Sequence, residues 1–216
     1  MVDRQRLFDV MPRTTLERLP GYLNFLRQKT DSERVSSAVI AESMNLSAIT
    51  VRKDLAYVSS GRPRVGHLRE ELIERITQVL SDNDCSRAVL VGAGNLGRAL
   101  MSYGGFGKYG LEIAAGFDIN PALVGGSVQG KPILHIDAMS DFIAQNGARM
   151  GIITVPAEHA QSVCDRMVEA GITGILCCAP AHLTVPPQVT VRYEDFAVSL
   201  ALLSIGMRQN REEQDE

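Results

Sequence analysis

The sequence has no apolar run approaching the roughly 20 residues that span a bilayer, and its start, Met1-Val2-Asp3-Arg4-Gln5-Arg6, leads into no apolar signal core. A soluble cytoplasmic protein without a membrane partner is expected. Cysteine is scarce. Cys85, Cys164, Cys177 and Cys178 make no C-x-x-C pair, and no histidine stands at ligand spacing from another ligand, so a zinc site is not expected and no metal is assigned. Net charge is small as well, −3 over 216 residues. At that length, with 45% apolar residues, one or two domains with a packed core are expected.

The small net charge hides an asymmetry. Residues 1–80 hold 13 Lys and Arg against 10 Asp and Glu, a balance of +3, while the remainder carries −6. Between Arg34 and Arg69 six basic residues face only Glu42 and Asp54. A basic first part joined to an acidic remainder suggests a polyanion partner for the first part alone. A merely solvated basic surface is the alternative.

The most informative stretch runs from Arg87 to Leu100. Ala88 to Val91 have strand character and run into Gly92, Ala93, Gly94, Asn95, Leu96 and Gly97, a GxGxxG pattern, and an apolar helix start follows. Gly92 permits the turn, Gly94 lets a pyrophosphate approach the backbone, and Gly97 lets the helix pack on the strand. The free N–H groups and positive end of that helix then face the phosphates. A second strand, 111–117, ends in Asp118, 21 residues past Gly97. That spacing fits an acid accepting hydrogen bonds from an adenosine ribose and repelling a 2′-phosphate, which favours NAD+ and NADH over the phosphorylated cofactors. Further short strands near 133–136, 150–155 and 174–178 alternate with helices 137–145 and 156–170, an α/β pattern with a mostly parallel, Rossmann-type sheet.

Before this unit, Thr14 and Glu17 read as a capping box opening a helix near 16–29, with Leu16, Leu19, Leu23 and Leu26 on one face and Pro20 discordant within it. Ser36 or Ser37 caps a short helix, 38–44. After a brief turn, Ser47 caps another, in which Ala48, Val51, Leu55 and Val58 form an inward stripe. Ser47, Thr50, Lys53, Asp54 and Tyr57 are read as its outward side, with Arg52 on the flank. Two short helices joined this way describe a helix-turn-helix, and Arg62 and Arg64 in the following Gly/Pro turn suit the wing of a winged helix, able to reach a minor groove. A helical packing module with no nucleic-acid role is the alternative. The domains expected are 1–80, winged helix; 81–192, nucleotide-binding; and 193–216, C-terminal helix and tail. In that last segment, 195–207 is apolar on most sides, so burial in a partner subunit is expected, against docking on its own sheet.

Taken together, Arg18-Leu19-Pro20, Val51-Arg52-Lys53-Asp54-Leu55, the glycine turn, Phe117-Asp118, Thr154-Val155-Pro156, Ala179-Pro180 and Asp195-Phe196 give the chain, from about Pro12 to Leu203, a sequence that resembles the Rex family of redox-sensing transcriptional repressors. The resemblance implies a homodimer on a palindromic DNA operator, NADH and NAD+ competing for one site, NADH releasing the DNA, and a C-terminal helix exchanged between subunits. It implies that Tyr103 and Asp195 join a polar network, that Phe196 lies near the nicotinamide, and that Thr154, Val155 and Pro156 line the cofactor site. Three departures stand out. Asn24 occupies the place of an arginine found in some relatives. The wing rests on Arg62 and Arg64. Cys177 and Cys178 replace an Asn-Phe pair, which leaves a thiol-based sensor open as an addition. An NAD-dependent dehydrogenase, with His159 or His182 as acid-base groups, and a nucleotide-binding subunit with no DNA role are the other readings.

Overall fold

A computed structural model describes residues 10–59, 66–80 and 86–212, with 209–212 as backbone only. The chain divides into two units, Met1–Asn83 with Gly105–Gly110, and Asp84–Gly104 with Leu111–Glu216.

The first unit contains α1 (Arg13–Gln28), β1 (Arg34–Val35), α2 (Ser37–Ser43), α3 (Ala48–Leu55), β2 (His67–Leu68) and α4 (Arg69–Leu80). Leu19, Leu23 and Leu26 of α1 meet Ile40, Val51, Leu55, Leu72 and Ile76 from the other helices in one fully buried core. Ser36 caps α2 by accepting the Val39 N–H, and Ser47 caps α3 by accepting the Thr50 N–H at 3.0 Å. Each satisfies an N–H that the helix itself cannot. Asn45, at φ +52°, turns the chain between the two helices. β1 and β2 pair antiparallel, Val35 opposite His67. The segment Gly104–Tyr109, a 3-10 turn, brings Tyr109 against this core, and Arg27 donates to the Lys108 carbonyl.

Three sequence expectations change here. Helix α1 starts at Arg13 behind Pro12 with no side-chain cap, so the Thr14–Glu17 box does not form, and Pro20 lies inside the helix. Helix α3 ends at Leu55, leaving Tyr57 in the following turn. Asp54, expected on the outward side, is 2% exposed. Its carboxylate accepts hydrogen bonds from Thr15 Oγ1 (2.7 Å), Arg18 Nε and Nη2 (2.7 and 2.8 Å) and Tyr22 OH (2.7 Å), all on α1.

The second unit holds β3 (Arg87–Val91), α5 (Asn95–Ser102), β4 (Glu112–Asp118), β5 (Ser127–Val128), β6 (Lys131–His135), α6 (Met139–Asn146), β7 (Met150–Ile153), α7 (Ala157–Glu169), β8 (Gly174–Cys177), β9 (Thr190–Tyr193) and α8 (Phe196–Glu212). The sheet order is β5-β6-β4-β3-β7-β8-β9, parallel throughout except for β5. Strands β5 and β9 are additions to the sequence reading. The chain builds outward from β3 on one side, then returns to build from β3 on the other. That reversal is the topological switch point of a doubly wound sheet, where ligands bind at the strand C-termini. Val89, Val91, Phe117 and Ile153 of the sheet pack with Ile143 of α6 and Met167 of α7 in one core.

Helix α8 begins one residue after the sequence reading placed it and runs further. Its apolar side chains are exposed in the single chain: Phe196 is 65% and Leu200 66% exposed, with Val198, Leu202, Leu203, Ile205 and Met207 similar. Docking on the chain's own sheet is thereby overturned.

Candidate functional site

A cleft of about 340 Å³ opens at the switch point, between the C-terminal ends of β3, β4 and β7. Gly92, Gly94, Asp118, Thr154, Val155 and Pro156 line it, with Ile119 and, from α7, His159 and Arg166. His159, read from sequence as a helix exterior, is exposed on the wall of this cleft. Arg166 is held there by donating to the Ile136 carbonyl (3.2 Å) and the Asp137 carboxylate (3.0 Å).

The glycines act in three different ways. Gly92 sits at φ +99°, and a Cβ there would lie 2.8 Å from the Thr154 carbonyl, so both conformation and the approach of the β7 loop require glycine. Gly97 is excluded from carrying a side chain by contact alone: its Cβ would stand 2.0 Å from the Gly92 carbonyl oxygen. Gly94 has open space where a Cβ would go, on the side from which a ligand would approach the backbone. It precedes α5, whose first turn has no side-chain cap. An uncapped helix start facing a cleft is suited to an anion.

Other groups hold the turn in shape. Thr154 Oγ1 donates to the Gly92 carbonyl at 2.7 Å and lies 3.1 Å from that of Val91. Asp118 Oδ2 accepts the Ala93 N–H at 2.7 Å and Oδ1 the Asn120 N–H at 2.9 Å. The carboxylate is thus oriented at the end of β4, and each oxygen keeps a lone pair for a hydroxyl donor.

The remaining sequence candidates are placed elsewhere. Asn95 and Leu96 lie exposed on the first turn of α5, Asn95 accepting from Arg98. Tyr103 follows α5 and is 60% exposed. Asp195 Oδ1 accepts the N–H groups of Ala197 (2.8 Å) and Val198 (3.2 Å), capping α8. Within one chain, Tyr103, Asp195 and Phe196 do not line the cleft.

Of the described cysteines, Cys164 and Cys177 are buried and Cys178 is half-buried. Burial pushes the Cys164 thiol up to about 11, with the neighbouring Asp165 and Cys177 adding to it, and burial also raises Cys177 and Cys178. Thiols held protonated are poor nucleophiles and poor redox sensors. Among the described residues no group of three His, Cys, Asp or Glu side chains is arranged to hold a metal ion.

On α3, Arg52 and Lys53 are exposed. The inward residues Val51, Asp54 and Leu55 fix the helix rotation, and at about 100° per residue the outward centre falls on Ile49 and on Lys53, while Asp54, also expected outward, is buried. Ser47 and Thr50 lie to one side, their hydroxyls 2.8 Å apart. Tyr57 is half-buried against the core. Ile49 was absent from the sequence reading. The signal is its place opposite the Val51–Leu55 edge, masked by its apolar character, which is unusual on an outer face. Ser59 Oγ and His67 Nδ1 are 3.1 Å apart, with burial holding His67 below the usual histidine range. Arg62, Arg64 and the start of the expected second domain at residue 81 lie outside the described residues.

Comparison with known proteins agrees with both units. The family model "CoA binding domain" matches residues 83–181, and "Putative DNA-binding protein N-terminus" matches residues 10–56. The redox-sensing transcriptional repressor Rex of Streptomyces avermitilis is 41% identical over 197 residues, covering 90% of this chain and 78% of its own. That of Carboxydothermus hydrogenoformans is 38% identical over 203 residues, covering 93% and 98%. Rex of Listeria monocytogenes is 36% identical over 196 residues, covering 89% and 91%. Two crystal structures of RSP, one with β-NAD+ and operator DNA and one with β-NADH, each superpose with a TM-score of 0.81 at 33% identity and cover 95% of this chain and 95% and 97% of their own. With relatives this similar along nearly its whole length, the chain belongs to the Rex family of redox-sensing transcriptional repressors.

Proposed function

We propose that this protein is a homodimeric repressor that binds a palindromic DNA operator and leaves it when NADH replaces NAD+ in the switch-point cleft. The observation that carries the reading is the presence, in one chain, of a helix-turn-helix with exposed cations and a glycine-turn cleft with an acid at the end of the second strand. The relatives are repressors by name. Such a repressor works where its DNA and both nucleotides are found, in the cytoplasm. The reading assigns residues 1–80 to DNA, 81–192 to the nucleotide and 193–216 to the dimer.

In this reading the backbone of Gly92, Ala93, Gly94, Asn95, Leu96 and Gly97 takes the pyrophosphate. Asp118 takes the adenosine ribose, and Thr154, Val155 and Pro156 flank the nicotinamide half. Seven large apolar side chains exposed on one helix are worth on the order of 1 kcal/mol each when half-buried. That is a surface a monomer rarely shows to water. Leu96 and Leu100 of α5, at i and i+4, and the exposed Tyr103 just after the helix supply complementary apolar surface. Exchange of α8 between copies covers the first surface and carries Asp195 and Phe196 toward the second copy's nicotinamide, beside Tyr103.

Two measurements test the assignments. Calorimetric titration is expected to show NADH binding and NADPH binding far more weakly, because Asp118 repels a 2′-phosphate. Asp118→Ala should lower NADH affinity about tenfold, the worth of one charge-assisted hydrogen bond, and narrow the gap to NADPH. Equal binding of the two nucleotides by the natural protein would refute the role of Asp118. For DNA, Ser47, Thr50, Arg52, Lys53, Tyr57, Arg62 and Arg64 are the assigned contacts, Ser47 and Tyr57 being the weakest given their cap and core roles. Lys53→Ala and Arg62→Ala should each reduce the slope of log affinity against log salt by about 0.9, the release of one phosphate counterion. A slope unchanged in both variants contradicts phosphate contact there.

A further inference from the structure

We infer that Ile49 is a base-reading residue whose side chain seats against a thymine C5-methyl group in the major groove. The inference rests on the repressor reading above and deepens it. Ile49 is the second residue of α3, in the first turn, and is 64% exposed. Early residues of a recognition helix are the ones that reach base edges. The buried side of α3 is fixed by Val51 and Leu55 in the core and by Asp54 tied to α1, so the rotation of the helix is not free to hide Ile49. Its neighbours on the outer face are Arg52 and Lys53, both exposed. Cations at these positions suit phosphates, which fix register and carry no sequence information.

An isoleucine has no donor or acceptor, and in the major groove the thymine methyl is the apolar feature that distinguishes one base pair from another. The hydroxyls of Ser47 and Thr50 bond one another, and Ser47 caps the helix, so Ile49 is the group of that turn that projects uncommitted. Its β-branch limits the rotamers lost on docking. An apolar side chain at the centre of a polar, cationic face adds nothing to the buried core of the unit. It gains contact only when something apolar covers it.

The test uses the full-length protein with NAD+ present. Random duplexes are passed over it, and the enriched duplex becomes the probe in fluorescence anisotropy. Deoxyuridine is then placed at one thymine at a time, deleting only the methyl. The natural protein is expected to lose about fourfold in affinity at one thymine of each half-site, the worth of one buried methyl. Ile49→Ala should bind the unmodified probe at least about fourfold more weakly by the same measure, ignore deoxyuridine at that position, and keep the natural salt slope. Ile49→Val should retain part of the discrimination. Deoxyuridine penalties identical in Ile49→Ala and the natural protein, or no penalty at any thymine, overturn the proposal while leaving the repressor reading intact. Failure to enrich any sequence overturns the repressor reading, and this proposal with it.

Discussion

Replacing Asp54 by alanine is expected to destabilise the first unit by about 3 kcal/mol, near the low end for breaking a buried ion pair. The low end applies because the Arg18 side chain is 27% exposed and can recover some hydration. Thr15 and Tyr22 cannot, being buried, and their hydroxyls would lose their acceptor. Burial by itself would raise the Asp54 pKa, and is the largest single influence on it. The hydrogen bonds from Arg18, Tyr22 and Thr15 together outweigh it and hold the carboxylate below its ordinary value. A carboxylate whose folded pKa lies below the unfolded one contributes stability above the unfolded value, about 3.9. That contribution is lost as pH falls through the folded value. The natural protein should therefore lose stability in acid below about pH 4 through this group, and Asp54→Ala should lack that component. Chemical denaturation followed across pH tests both points. Because Asp54 ties α3 to α1, DNA affinity should fall further than NADH affinity. A variant as stable as the natural protein, with unchanged DNA binding, would show that the cluster does not hold the recognition helix.

Gly97→Ala is the second large effect expected. The added methyl would meet the Gly92 carbonyl oxygen at 2.0 Å and Leu90 Cδ2 at 3.0 Å, so α5 must lift from β3. Overpacking of this kind costs about 1–3 kcal/mol, more when backbone must move, and exceeds the roughly 1 kcal/mol gained from alanine's helix propensity. NADH binding should be lost, since the displaced helix start is the proposed phosphate site. Gly94→Ala provides the contrast. Its Cβ meets nothing within 4 Å and its φ of −68° suits any residue, so stability should change by no more than about 0.5 kcal/mol. The methyl nonetheless stands where the ligand approaches, and NADH affinity should fall. Thermal unfolding and calorimetry on the two variants separate a glycine that packs from one that makes room. Loss of stability in Gly94→Ala, or normal NADH binding in Gly97→Ala, would reverse the assignment.

What the sequence made legible and what it hid follow from the range of the interactions. The glycine turn, Asp118 and the alternation of strands and helices are local patterns, and Gly92, Gly94 and Asp118 meet in one cleft. The facing of α3 depends on partners 32 to 39 residues away, because Thr15, Arg18 and Tyr22 draw Asp54 inward. In an eight-residue helix, one polar residue assigned to the wrong side rotates the whole outer face. Lys53 and Arg52 kept their place through that rotation, and Ile49 replaced Asp54. The capping box does not form because α1 starts at Arg13 behind Pro12, which puts Thr14 inside the first turn and not at the cap. Strands β5 and β9 are two and four residues long and sit at the sheet edges, too short for alternation to register. The apolar character of α8 is plain in the sequence, and its side chains are exposed in the single chain.

The most direct measurement is the affinity of the full-length protein for its enriched duplex as NADH is titrated at fixed salt and excess NAD+. Differential affinity is what moves such an equilibrium, and the coupling is reciprocal. DNA affinity should fall as NADH displaces NAD+, recover when NAD+ is restored, and the duplex should weaken NADH binding by the same factor. DNA affinity that stays constant while NADH demonstrably fills the cleft would contradict the account.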